Sequence, residues 1–164
     1  MSISQTLLPE FDQEMATTRR LIERVPGAKG EWKPHPKSFP LAHLAQLVAT
    51  MPGWITNAVT TTELDLKSGG GYSVQKTEAL LEQFDQHVSE ARAAIAAASD
   101  ADFAVAWSLK LGPKVLMTMP RAAVVRQTIS HLSHHRGQLT VYLRLLDVPI
   151  PSIYGPTADE GWGG

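Results

Sequence analysis

His131 and His135 stand four residues apart in the run His131-Leu132-Ser133-His134-His135-Arg136-Gly137-Gln138, inside a periodic apolar stretch. On a helix that interval sets two imidazoles on one face, about one turn apart, where both reach a single cation. Neutral imidazole is the commonest side-chain metal ligand. By spacing alone the pair is either part of a metal site or two hydrogen-bonded core histidines. Burying both rings costs desolvation, and both charged would repel, so sharing a cation or a water is natural. Gln138 lies on the same face, where it could orient a ring. Gly137 carries a helix cost of up to about 1 kcal/mol against alanine, which points to another backbone or a ligand passing close. Arg136 and Arg144 could receive an anionic substrate group, or pair with acids such as Asp147 or Glu160.

Four helical patterns could position these groups. The first covers about Ser4 to Val25, with Leu7, Leu8, Phe11, Met15 and Ile22 at intervals of three and four, and stops at Pro26-Gly27. The loop Trp32 to Lys37 holds two prolines and cannot be regular helix. The second helix begins between Ser38 and Leu41 and runs to about Thr62, with a kink or break expected at Pro52-Gly53. After the flexible link Ser68-Gly69-Gly70-Gly71 comes a third helix, Thr77 to Ala98, whose alanine-rich end permits close helix contact. Phe103, Val105, Trp107, Leu109 and Leu111 alternate before Gly112-Pro113, the pattern of a short hairpin. The fourth helix spans Arg121 to Leu146 after Pro120. Val124, Thr128, His131, His135, Tyr142 and Leu146 share one stripe there, expected to face the core. The tail from Pro149 to Pro156 should be irregular and fold back over the helices. The fold expected is all-α, a four-helix bundle with an extended or β-hairpin insert before the last helix, in one domain of residues 1–164.

Composition narrows the partners. Apolar residues make up 43% and charged ones 19%, with a net charge of −1, so nothing favours nucleic acid or an anionic membrane. No cysteine is present, which excludes disulfides, thiolate metal sites and a cysteine nucleophile. No apolar run reaches the length of a membrane span, and the first residues lack a signal pattern, so a cytoplasmic location is expected. Neither a nucleophilic serine motif nor a phosphate-binding glycine loop occurs. His134 should lie on the flank of the last helix, and His35 and His87 should face solvent. Trp32, Trp54, Trp107 and Tyr142 read as core or interface aromatics.

The string His131 to Leu139, then Tyr142-Leu143-Arg144 and Ile153-Tyr154-Gly155-Pro156-Thr157, resembles the DinB/YfiT-like family of four-helix-bundle metalloenzymes. Leu7 to Asp12, Trp32 to His35, Lys37-Ser38 and Pro52-Gly53-Trp54 share that likeness. The resemblance implies a divalent cation, nickel or zinc, on three histidines, two of them His131 and His135. The third position, on the second helix, falls on Leu47, which cannot bind a metal. His43, one turn earlier and about 6 Å along the axis, is the candidate replacement.

The resemblance further implies a thiol-dependent transferase or isomerase, in which the cation lowers the pKa of a low-molecular-weight thiol. From their own positions and chemistry, Gln138, Arg136 and Tyr142 are the candidates to support the metal ligands or line a substrate pocket. Two alternatives stand beside it: a metal-dependent hydrolase, and a metal-free bundle for binding or dimerisation, favoured by Leu47. A homodimer acting on a small molecule is the expected assembly.

Overall fold

A computed structural model describes residues 1–68 and 70–162. Gly69, within the expected link Ser68–Gly71, lies outside the described residues, as do Gly163 and Gly164. Helix α1 (Ile3–Ile22) opens on a reciprocal cap: Ser2 Oγ accepts from the Gln5 amide, and Gln5 Oε1 accepts from the Ser2 amide. Helix α2 (Leu41–Thr60) starts after Pro40 and stays helical through Pro52, so the expected break is absent. Helix α3 covers Thr77–Ala97. Ser99 then caps a five-residue helix α4 (Asp100–Ala104) with Asp102 as its reciprocal partner. Helix α5 runs Arg121–Leu145.

Between α2 and α5 the chain forms a three-stranded sheet in the order β1 (Glu63–Asp65), β2 (Ala106–Leu111), β3 (Lys114–Pro120). The expected hairpin is β2–β3, with Trp107 opposite Met119 and Leu109 opposite Met117. These residues share one face, as period-two alternation requires. Gly112 makes the reversal at φ 59°, a conformation glycine adopts without strain. Strand β1 adds in parallel, Leu64 beside Leu109. The Asp65 carboxylate secures it by accepting from the amides of Gly112 and Lys67, and these bonds hold its pKa low.

The four long helices touch in sequence around the core, α2 against α3 and α5, and α1 against α3 and α5. Phe11, Leu44, Val48, Met51, Phe84, Ile129, Leu132 and Leu139 fill the space between them. The buried residues of α5 are Val124, Val125, Thr128, Ile129, Leu132, Arg136, Leu139 and Leu143. The expected stripe is buried at Val124 and Thr128 and partly buried at Tyr142 and Leu146, but from His131 on the fully buried positions lie one residue, about 100°, further round. His131 is exposed and His135 half-buried, on the flank of the core and not in it. Among the described residues no helix is long and apolar enough to cross a membrane.

Candidate functional site

Helix geometry alone brings the two imidazoles together. His131 Nε2 and His135 Nε2 lie 2.9 Å apart, with ring centroids at 4.6 Å. One turn further on, Gln138 Oε1 stands 2.8 Å from His135 Nδ1. With the amide oxygen as acceptor, His135 carries its proton on Nδ1 and turns its Nε2 lone pair toward His131 Nε2. Partial burial, then the neighbouring His135 and His134, hold the His131 pKa below the ordinary imidazole value of 6.5. His131 is therefore neutral at pH 7, and its Nε2 can either donate to His135 or turn a lone pair toward a ligand.

The separation suits a cation. At metal–nitrogen distances of about 2.1 Å, two adjacent positions of an octahedral ion lie about 3.0 Å apart, and two of a tetrahedral ion about 3.4 Å. The pair fits as a two-nitrogen half-site. Among the described residues no group of three His, Cys, Asp or Glu side chains is placed to hold a metal. Leu47 packs partly buried against the core. The His43 ring lies between Phe39 (4.2 Å) and Tyr72 (4.5 Å, nearly parallel), and burial lowers its pKa. It borders a cavity with Leu47, Tyr72, Gln83 and Trp54, while His131 borders a different one. Trp54 lines both, its ring 5.9 Å from that of His131.

Two hollows flank the pair. On the His131 side a cavity of about 300 Å³ lies between α2, the sheet and α5, walled by Trp54, Trp107, Leu109, Met117 and Val124. On the His135 side an open cleft of about 380 Å³ is bordered by Lys37, Phe39, Gln138, Val141 and Tyr142. Tyr142 donates to the Phe39 carbonyl at 3.1 Å and meets the Trp32 ring edge-on, so it holds the loop ahead of α2 in place beside the cleft.

A profile of the DinB family matches residues 1–162. The chain belongs to the DinB family. Solved DinB-like proteins share the fold: one from Bacillus cereus ATCC 10987 with a TM-score of 0.71 at 17% identity, covering 90% of this chain and 95% of that one. Another from Bacillus subtilis gives 0.68 at 15%, covering 87% and 92%. A member from Exiguobacterium sibiricum 255-15 gives 0.65 at 18%, covering 95% and 96%. The uncharacterized protein YrdA of Bacillus subtilis (strain 168) is 43% identical over 42 residues, 26% of this chain and a quarter (25%) of that protein.

Arg136 does not face the site of this DinB chain. It is buried at 1% exposure on the α1 side of α5. Its guanidinium pairs with Glu14 Oε2 at 2.6 Å and donates to Thr18 Oγ1 (3.0 Å), the Glu14 carbonyl (3.1 Å) and the Tyr154 hydroxyl (2.7 Å). Tyr154 donates in turn to the Glu14 carboxylate at 3.0 Å. Both the Arg of the last helix and the Tyr of the tail therefore serve to fasten the tail. A sequence signal for this existed: Leu7, Phe11, Glu14, Thr18 and Leu21 form one helical stripe, and an acid on it requires a buried cation.

Other expectations are corrected at Arg144, Gly137 and His87 and hold at His134 and His35. Glu160 pairs with Arg20 and Arg24, and Arg144 pairs with Asp159. A Cβ at Gly137 would meet nothing within 4 Å, so no group crowds that glycine. His87 is not solvent-facing; its ring packs on α2, where a Cβ at Gly53 would come within 2.8 Å of Nδ1. His134 is exposed beside His135, and His35 is an exposed loop residue accepting from the Lys37 amide.

Proposed function

We propose that the protein is a metal-dependent enzyme acting on a small molecule, with His131 and His135 as the protein ligands of one divalent cation, nickel or zinc. The observation that carries this reading is the 2.9 Å approach of the two Nε2 atoms. The hollows on either side of the pair support it, since they leave room for substrate next to the nitrogens. When bound, such a cation lowers the pKa of a coordinated thiol, the chemistry of a thiol-dependent transferase or isomerase. Gln138 holds the His135 ring with its lone pair inward. His131, neutral at pH 7, needs no deprotonation to take part. Trp54 shields one side of His131 from water. The thiol comes from outside, because the chain has no cysteine.

Two imidazoles leave more coordination positions to substrate and water than three would. His43 completes the set only by leaving its place between Phe39 and Tyr72. A second reading, a metal-free binding module, is favoured by Leu47 and by the lack of a third grouped ligand among the described residues. Hydrolysis is the weaker enzymatic alternative, since among the described residues no carboxylate is grouped with the pair.

Metal content of untagged protein, purified after nickel or zinc supplementation, tests the proposal. About one ion per chain, lost in His131→Ala and in His135→Ala, supports it. Parent protein that stays metal-free supports the binding module. His43→Ala with unchanged affinity leaves a two-histidine site, while a large loss assigns His43 as third ligand. Turnover of small electrophiles by the loaded protein without any thiol contradicts the transferase chemistry.

A further inference from the structure

The cavity beside His131 has a chemistry of its own. Its wall of Trp54, Leu64, Trp107, Leu109, Met117 and Val124 comes from α2, the sheet and α5, and none of its lining residues is an Asp, Glu, Lys or Arg. The few polar groups are unevenly distributed. Trp107 Nε1 donates to Thr61 Oγ1, and Thr128 Oγ1 donates to the Val124 carbonyl, so both face away from a ligand. Gln127 and His131 are the polar side chains left, one turn apart on the same face of α5. The Gln127 amide has no hydrogen-bond partner among the described residues. A hollow of about 300 Å³ is twice the ~150 Å³ cavity that takes benzene, so it suits a two-ring body. A charged group inside would have no counter-ion and would lose its hydration.

We infer that this cavity binds an uncharged, two-ring-sized apolar molecule carrying a single hydrogen-bonding head group, with the body against Trp54 and Trp107 and the head at Gln127 and His131. The inference deepens the enzymatic reading above, on which it rests only for the role of the bound molecule as substrate. Packing against two indoles supplies affinity, and the head is delivered to the histidine pair. Ligand pockets of this kind combine an apolar wall with a few placed polar groups.

The test is calorimetric titration of chelator-treated protein with 2-naphthol, naphthalene and 2-naphthoate as probes. One 2-naphthol should bind per chain, with 2-naphthoate weaker by about tenfold or more, because a desolvated carboxylate lacks a partner. Gln127→Leu and His131→Ala should each weaken 2-naphthol about fivefold and leave naphthalene unchanged. Met117→Trp should abolish binding of all three by filling the cavity. If it melts far below the parent, Leu109→Trp takes its place. Equal binding of naphthoate and naphthol, unchanged binding in the cavity-filled variant, or no binding at the solubility limit would each overturn the inference. Nickel titration of the same preparation separates the two ideas. Metal uptake without naphthol binding defeats the inference alone, and naphthol binding without metal uptake defeats the enzymatic reading alone.

Discussion

Replacing Arg136 by leucine should be among the most damaging single changes in this protein while leaving the histidine pair intact. The guanidinium is 1% exposed and joins α5 to α1 through Glu14 and Thr18, and to the tail through Tyr154. Arg136→Leu strands the Glu14 carboxylate with only the Tyr154 and Ser133 hydroxyls as partners. Breaking a buried ion pair by removing one member costs about 3–5 kcal/mol. The Glu14 side chain retains 11% exposure, which places the expected loss in the lower part of that range. At roughly 2–4 °C per kcal/mol for a chain of this size, the midpoint should fall by about 6–16 °C. Removing both charges, in Glu14→Leu with Arg136→Leu, should recover most of the loss, because no uncompensated charge remains. Urea unfolding followed by circular dichroism, with slopes compared, gives all three values. An Arg136→Leu variant within 1 kcal/mol of the parent would refute the reasoning. So would a double variant no better than the single one. Because Arg136 points away from the pair, metal affinity of the folded variant should stay within about threefold of the parent.

Other outcomes follow from the same geometry. Gln138→Leu removes the acceptor at His135 Nδ1 and should lower metal affinity about 10–100-fold, read by competition with a chromophoric chelator. Gly137→Ala enters open space and should raise stability by about 0.5–1 kcal/mol. Gly53→Ala drives a methyl against His87 and should lower stability by about 1–3 kcal/mol, with His87→Ala relieving much of it; thermal melts decide both. His131 should titrate below 6.5 in imidazole NMR spectra. Its proton is disfavoured in the folded state, so its contribution to stability is full above the unfolded value and declines as pH falls from there toward the folded pKa. Metal affinity should hold steady down to the folded pKa of His131, below 6.5, and fall as pH drops through it.

Much of the scaffold was legible because apolar periodicity and breakers are local. Helices α2, α3 and α5 end within two residues of where their patterns stop, and Gly112-Pro113 marks the hairpin reversal. The convergence of His131 and His135 follows from an interval of four on any helix. The errors share a cause, which is that tertiary partners are not written beside the residue. Arg136 reads as a surface charge until Glu14 of α1 is set against it. Gly137 reads as a close-contact glycine although it faces open space, and a glycine that does admit a neighbour is Gly53, beneath the His87 ring. The buried face of α5 keeps Val124 and Thr128 of the expected stripe but passes through Leu132 and Arg136, which leaves the histidines on its flank. Three-residue β1 has too little sequence for a pattern, and its pairing with β2 joins segments more than forty residues apart. The place of His43 between Phe39 and Tyr72 depends likewise on a residue from beyond α2.

X-ray absorption at the metal edge of zinc- or nickel-loaded, untagged protein addresses the central claim most directly. The spectrum should show imidazole scattering from two rings at about 2.0–2.1 Å, falling to one ring in His131→Ala. Failure of the parent to retain metal, or an unchanged spectrum after both His131 and His135 are replaced, would contradict it.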